Sequence, residues 1–272
     1  MVVVPEGSYG RLWEDTPTSW WTGFHVDDTP GYGPPITSSR ITVTDYYRFR
    51  STQLSLDDYR AVDRSGLGLL FFRLRKLFGL DGPNLYWSDP SLLEVIDPGD
   101  IDNAAVTTAI STAAAEAQRE GLQLMLWYRI PQLLPGVSAG AMFLSPCRRF
   151  TATAAAAKLA TQPAQPLAAG FGCASQRPGG AVIGTTNMSQ IVPTAPRIAV
   201  ERRVGGTLAD VVALHRQRLD GTEVLQDPGT DALLAGFRAE ARIQTDFLRA
   251  RGILQPFPDD KVAAIRRQHA RG

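Results

Sequence analysis

The 272-residue sequence predicts an α+β fold, an antiparallel β-meander over about 122–204 covered by helices, behind an irregular aromatic- and proline-rich N-terminal region. Three observations carry this. Apolar stretches of strand length recur between residues 122 and 204, each bounded by turn residues, as sequential antiparallel strands require. No helix-length segment separates them, so the crossovers of a parallel sheet have no place in that span. Helical periodicity stands on either side of the run instead, before residue 121 and after residue 206.

The elements follow in chain order. Residues 1–39 are rich in Pro, Gly, Trp and Thr, and five aromatic residues between Tyr9 and Phe24 argue a packed arm rather than a free tail. Arg40–Arg50, β-branched and aromatic, reads as a strand. Ser55 and Asp58 open a helix as a capping-box variant, and Leu67–Leu80 forms a second helix ended by Gly82-Pro83. The Pro- and Asp-rich joint near Asp89-Pro90 divides the chain into a 1–89 region and a 90–272 sheet-and-helix domain. Asp102 caps a helix to about Glu120, with Val106, Ile110, Ala113 and Ala117 on one face and Gly121 as its stop. Leu122–Ile130 alternates with period two, and strands follow at Ala139–Ser145, Phe150–Leu159, Leu167–Ser175, Ala181–Met188 and Ile198–Val204. Helices at 208–219, 231–251 and 259–271 close the chain, with the helices expected on one face of the sheet.

Composition removes several function classes. Twenty-eight basic against 27 acidic residues leave no electrostatic footprint for nucleic acid. From Gly121 to Val200 there is no Asp or Glu, so the strands supply neither paired catalytic carboxylates nor acidic metal ligands, and their solvent face should be neutral to positive. No Walker, HExxH, GxSxG or EF-hand motif occurs. Gly170-Phe171-Gly172 lacks the third glycine and the following helix that a dinucleotide loop needs, so no cofactor is expected. Met1–Gly10 has no basic or apolar signal region and no stretch is long enough to span a bilayer, so a cytoplasmic protein is expected, with Cys147 and Cys173 as free thiols.

Three constellations remain. His215 lies on the stripe of Leu208, Val212 and Leu219, where a histidine is most simply a packed residue. The catalytic alternative makes it a base facing Thr185, Thr186 and Asn187, in a small hydrolase or transferase. His25 and Asp27 project together from an extended chain, but two ligands do not close a metal site, and Asp28-Thr29-Pro30-Gly31 is turn chemistry. In Leu67–Leu80, a helical wheel places Leu67, Leu70, Phe71, Leu74, Leu77 and Phe78 on one side, with Arg73, Arg75 and Lys76 off it. That is the pattern of an interfacial anchor contacting a membrane or a partner through Phe71, Arg73, Arg75 and Lys76. Leu and Phe on both sides favour burial instead, which predicts no binding to vesicles. The expected function is therefore a non-catalytic binding or scaffold module, peripheral membrane attachment being one form of it, with a protein or a membrane surface as partner.

Overall fold

The computed structural model describes residues 25–27, 46–62, 66–80, 84–133, 136–159, 167–188, 192–224 and 229–269. Its larger sheet has seven strands, and chain order is also spatial order: β4 (Glu94–Ile96), β5 (Gln123–Arg129), β6 (Gly136–Leu144), β7 (Thr151–Leu159), β8 (Ala168–Gln176), β9 (Val182–Thr186) and β10 (Ile198–Arg202). Every neighbouring pair from β4 to β9 is antiparallel, as the turn-separated apolar stretches predict. The last pair departs from the meander, because β10 runs parallel to β9. Residues 187–197 join the two strands. Eleven residues reach at most about 36 Å, ample to return along a strand of roughly 17 Å. Gln244 holds the end of that connection, accepting from the Ala195 amide at 2.9 Å and donating to the Pro193 carbonyl at 2.8 Å.

Alternation along the strands separates two buried faces. One carries Ala139, Ala141, Phe143, Ala152, Ala154, Ala156, Cys173 and Ile183, beneath α3 (Ala104–Arg119) and α4 (Leu208–Arg218). The alanines on the sheet meet Ala113, Ala114 and Ala117 on α3, so the helix backbone approaches closely and packing stays dense without large side chains. The other face carries Leu126, Tyr128, Met142 and Leu144, crossed by α5 (Thr230–Ala250) through Leu233 and Phe237. The helices therefore occupy both faces, not one. Residues 141–144 are buried without alternation, which is what a strand covered on both sides requires, and it leaves the acid-free strands little solvent face of their own.

Local signals place the helix ends well. Asn103 caps α3 one residue beyond the expected Asp102, accepting from the Val106 amide, and Gly121 stops the helix at φ +76°. Thr207 and Asp210 form a reciprocal capping box on α4.

The smaller sheet is antiparallel, in the order β1 (His25–Asp27), β3 (Asn84–Ser88), β2 (Tyr46–Phe49) and β11 (Leu254–Pro256). Of the expected strand at Arg40–Arg50, β2 is the described part; residues 40–45 and the arm of residues 1–24 lie outside the described residues. Tyr47, Phe49 and Trp87 of this sheet share a core with Leu248 of α5, Ile253 and Leu254. Helix α6 (Asp259–His269) adds Ile265 beside Tyr46, Leu133 and Phe257.

Against this second core lie α1 (Leu56–Val62) and α2 (Gly66–Leu77). The expected burial of the Leu70–Leu74–Leu77 stripe is corrected here. Phe72 is the buried side chain, stacked on Tyr59 with ring centroids 4.2 Å apart, and Gly68 one turn earlier is buried on the same side. Leu70, Leu74, Leu77, Phe78 and Leu80 are exposed. A helix with apolar residues all round has two faces to bury, and the face with Phe72 joins the core that includes Leu54, Trp87 and Leu248. Arg251, just past α5, clamps α1 by donating to both carboxylate oxygens of Asp58 at 3.1 and 2.5 Å. Burial opposes ionisation of Asp58, yet the hydrogen bonds from Arg251 and Ser55 prevail and hold its pKa at about 2.

Candidate functional site

A buried cluster of catalytically competent residue types lies between α4 and strands β8 and β9. His215 comes from the inner stripe of α4, with Leu208, Val211, Val212 and Leu219 buried around it. Its imidazole is 0% exposed and packs edge-on to Phe150, with ring centroids 5.2 Å apart. Nδ1 lies 2.9 Å from Thr185 Oγ1 on β9, and Nε2 lies 3.0 Å from Ser175 Oγ on β8. Both hydroxyls are buried as well.

Donor accounting sets the direction of every bond. Ser175 Oγ spends its proton on the Arg149 carbonyl at 2.7 Å, so it accepts from His215 Nε2–H. Burial and the nearby Arg218 charge keep the imidazole neutral, so with its proton on Nε2 its Nδ1 accepts from the Thr185 hydroxyl. Thr185 Oγ1 in turn accepts from Arg218 Nη1 at 3.0 Å. Arg218 also donates to the carbonyls of Gly184 and Ala199 and pairs with Glu201 at 3.2 Å. A relay of donors thus runs from Arg218 through Thr185, His215 and Ser175 to the Arg149 backbone, with each hydroxyl proton used once.

Burial and the adjacent Arg218 charge both disfavour imidazolium, pushing the His215 pKa down to about 3. A base with that value is mismatched to proton abstraction at neutral pH, where a pKa near the working pH serves best. Ser175 is aimed away from the imidazole as a donor, the reverse of an activated serine.

Of the residues expected near His215, Thr185 alone meets it. Thr186 points to the opposite sheet face and donates to the Phe171 carbonyl at 2.7 Å. Asn187 bridges strand and loop, accepting from the Phe171 amide and donating to the Gly206 carbonyl. Ser175 and Arg218 complete the cluster and were not among the expected residues. Arg218 lies three residues past His215 and so on the same side of α4, which is a readable signal. Ser175 depends on the register of β8 against β9, which pairs it with Ile183.

The remaining candidates resolve separately. Of His25 and Asp27 the backbone of β1 is described, and their side chains lie outside the described residues. Among the described residues, no three His, Cys, Asp or Glu side chains are grouped to hold a metal. Gly170 and Gly172 sit inside β8, and Gly170 faces the Met188 side chain, so the absence of a Cβ at Gly170 makes room for packing. Cys147 is exposed in the β6–β7 turn and Cys173 is buried, and both are free thiols. On α2, Arg73 is exposed, Phe71 is half-buried, and Arg75 Nε donates to the Leu80 carbonyl at 3.2 Å. Lys76 turns toward the protein, donating to the Leu54 carbonyl at 2.7 Å with its ammonium 5.8 Å from the Phe72 ring centroid. That bond ties α2 to Leu54, while Lys76 itself stays exposed.

No protein-family model matches the chain, and neither a curated protein nor a solved structure matches it.

Proposed function

We propose that the protein is a non-catalytic binding module that engages its partner through the outward face of α2. One observation carries the reading: Leu70, Leu74, Leu77, Phe78 and Leu80 stand exposed together on one helix and its C-terminal turn, Leu77 at 76% and Phe78 at 69%. Exposed apolar residues scattered singly are ordinary, as with Val95 and Val204 here, but a contiguous stripe marks an interaction surface. The closed surroundings of His215 support the non-catalytic half of the reading, since a substrate needs a path to the imidazole.

The alternative is a small hydrolase or transferase using His215. It keeps one supporting observation, the 2.9 Å bond in which Thr185 donates to Nδ1, the arrangement of a hydroxyl beside its base. Two measurements on the full chain separate the readings. Covalent surface footprinting should modify Leu74, Leu77 and Phe78 heavily, and protection of all three would sink the module. Diethyl pyrocarbonate and a fluorophosphonate probe should leave His215, Ser175 and Thr185 untouched in the folded protein. Stoichiometric labelling of any of them would establish the enzyme reading instead.

A further inference from the structure

We infer that the middle of α5 is a releasable strut, which lifts from the larger sheet and loosens the connection into β10 when the Glu240 carboxyl loses its proton. The buried stripe of α5 changes character along its length. Leu233 and Phe237 at one end and Leu248 at the other seat the helix in apolar clusters. Between them the wholly buried positions are Glu240, Ala241, Gln244 and Thr245, so only one of the four is apolar. Glu240 Oε1 and Thr245 Oγ1 are buried without a hydrogen bond, a cost on the seated helix that lifting removes. Gly236 lies one turn before Glu240, where an added Cβ would stand 2.7 Å from Gln176 Nε2. A glycine inside a helix weakens that helix further.

No charge among the described residues offsets ionisation of Glu240. On α5 itself, Arg238 donates to the Leu93 carbonyl, and the exposed Arg242 and Asp246 act on Asp89 instead. On the sheet face beneath, the titratable side chains are Tyr128, packed on Phe237, and Arg202, which donates to Thr194. Strands β5 to β9 contain no Asp or Glu. From the smaller sheet Tyr47 faces this core, with Arg249 over its ring. Burial therefore acts alone on the Glu240 carboxyl and raises its pKa to about 8. Seated, the group is a neutral acid; lifted into water, it ionises, so the lifted state gains as pH rises.

The same turn of α5 carries the tie to β10. Gln244, one turn past Glu240, holds the Ala195 amide and the Pro193 carbonyl. Ala195 and Ile198 also share a cluster with Ile243 and Phe247 of α5. When the middle of the helix leaves the sheet, both ties go with it, and the segment entering β10 loses its cover. The two apolar ends stay seated, so the opening is local and needs no unfolding of the larger sheet.

The test is amide hydrogen exchange of the full chain, read residue by residue at about pH 6 and pH 8.5 and corrected for the intrinsic rate. Amides of residues 239–247 and the Ala195 amide should exchange about tenfold faster at the higher pH, together and ahead of those of β6 and α3. Glu240→Gln, which cannot ionise, should keep these amides equally protected at both pH values. Thr245→Val should slow their exchange several-fold at both, because it removes an unbonded buried hydroxyl. Circular dichroism should show both variants folded. Exchange of α5 only in step with β6 and α3 overturns the inference. So does a pH response that survives in Glu240→Gln, or an unslowed Thr245→Val. An Ala195 amide that stays protected while α5 opens overturns the coupling to β10.

Discussion

The cleft between α4 and the sheet and the outer face of α2 invert the usual placement of side chains. Beneath α4, His215, Ser175 and Thr185 are polar and wholly enclosed, and each finds a hydrogen-bond partner. On α2, leucine and phenylalanine stand in the open. The comparison teaches that residue type is a poor guide to function until burial is known. Residue types suited to catalysis here join helix to sheet through hydrogen bonds, and residue types suited to a core stand exposed.

The largest effect that would sharpen this contrast is at α2 itself. Phe72→Ala should cost about 3–5 kcal/mol, as loss of a buried aromatic does, while Leu77→Ser on the same helix should change stability by less than about 0.5 kcal/mol. Denaturant unfolding of the two variants decides it, and equal costs would place both faces of α2 in the interior.

A second test concerns polar burial without partners. Glu240 sits on the inner face of α5 with Oε1 unbonded, and burial alone raises its pKa from the ordinary 4.5 to about 8. The folded chain therefore binds this proton more tightly than the unfolded chain. The stability it lends is complete below pH 4.5 and is lost as pH rises to about 8. Glu240→Gln should flatten that loss and stabilise the protein at pH 8.5 by roughly 1–3 kcal/mol, read from unfolding midpoints at pH 5 and 8.5. A destabilised variant at pH 8.5 would show that the carboxylate has a partner.

The His215 pin should respond in the opposite direction. Its pKa falls from 6.5 to about 3 on folding, so the unfolded chain takes the proton first and stability declines as pH drops from about 6.5 towards 3. His215→Gln should cost about 1–2 kcal/mol at pH 7 and flatten this acid limb. An unchanged slope would mean that another group sets it. Between about pH 4.5 and 6.5 the Glu240 and His215 effects oppose each other, so the two variants are best compared outside that window.

The α+β class, the strands from β5 to β10 and the helices α3 to α6 were legible because each rests on local physics. Period-two alternation, the Thr207–Asp210 box and the left-handed glycine after α3 are properties of neighbouring residues. The cysteines' free state and the inward stripe of His215 followed from composition and helical spacing in the same way. What depended on residues far apart was not legible. β10 could pair with β9 in either direction until the 187–197 connection was placed. The helices could cover one face or two until Met142 and Leu144 met α5. Ser175 became a partner of His215 across 40 positions, through a strand register that local pattern does not encode. The two faces of α2 were near equals in hydrophobicity, and which one turned inward was decided by what it met: the Tyr59 ring and the distant core of Tyr47, Trp87 and Leu248 that Phe72 joins.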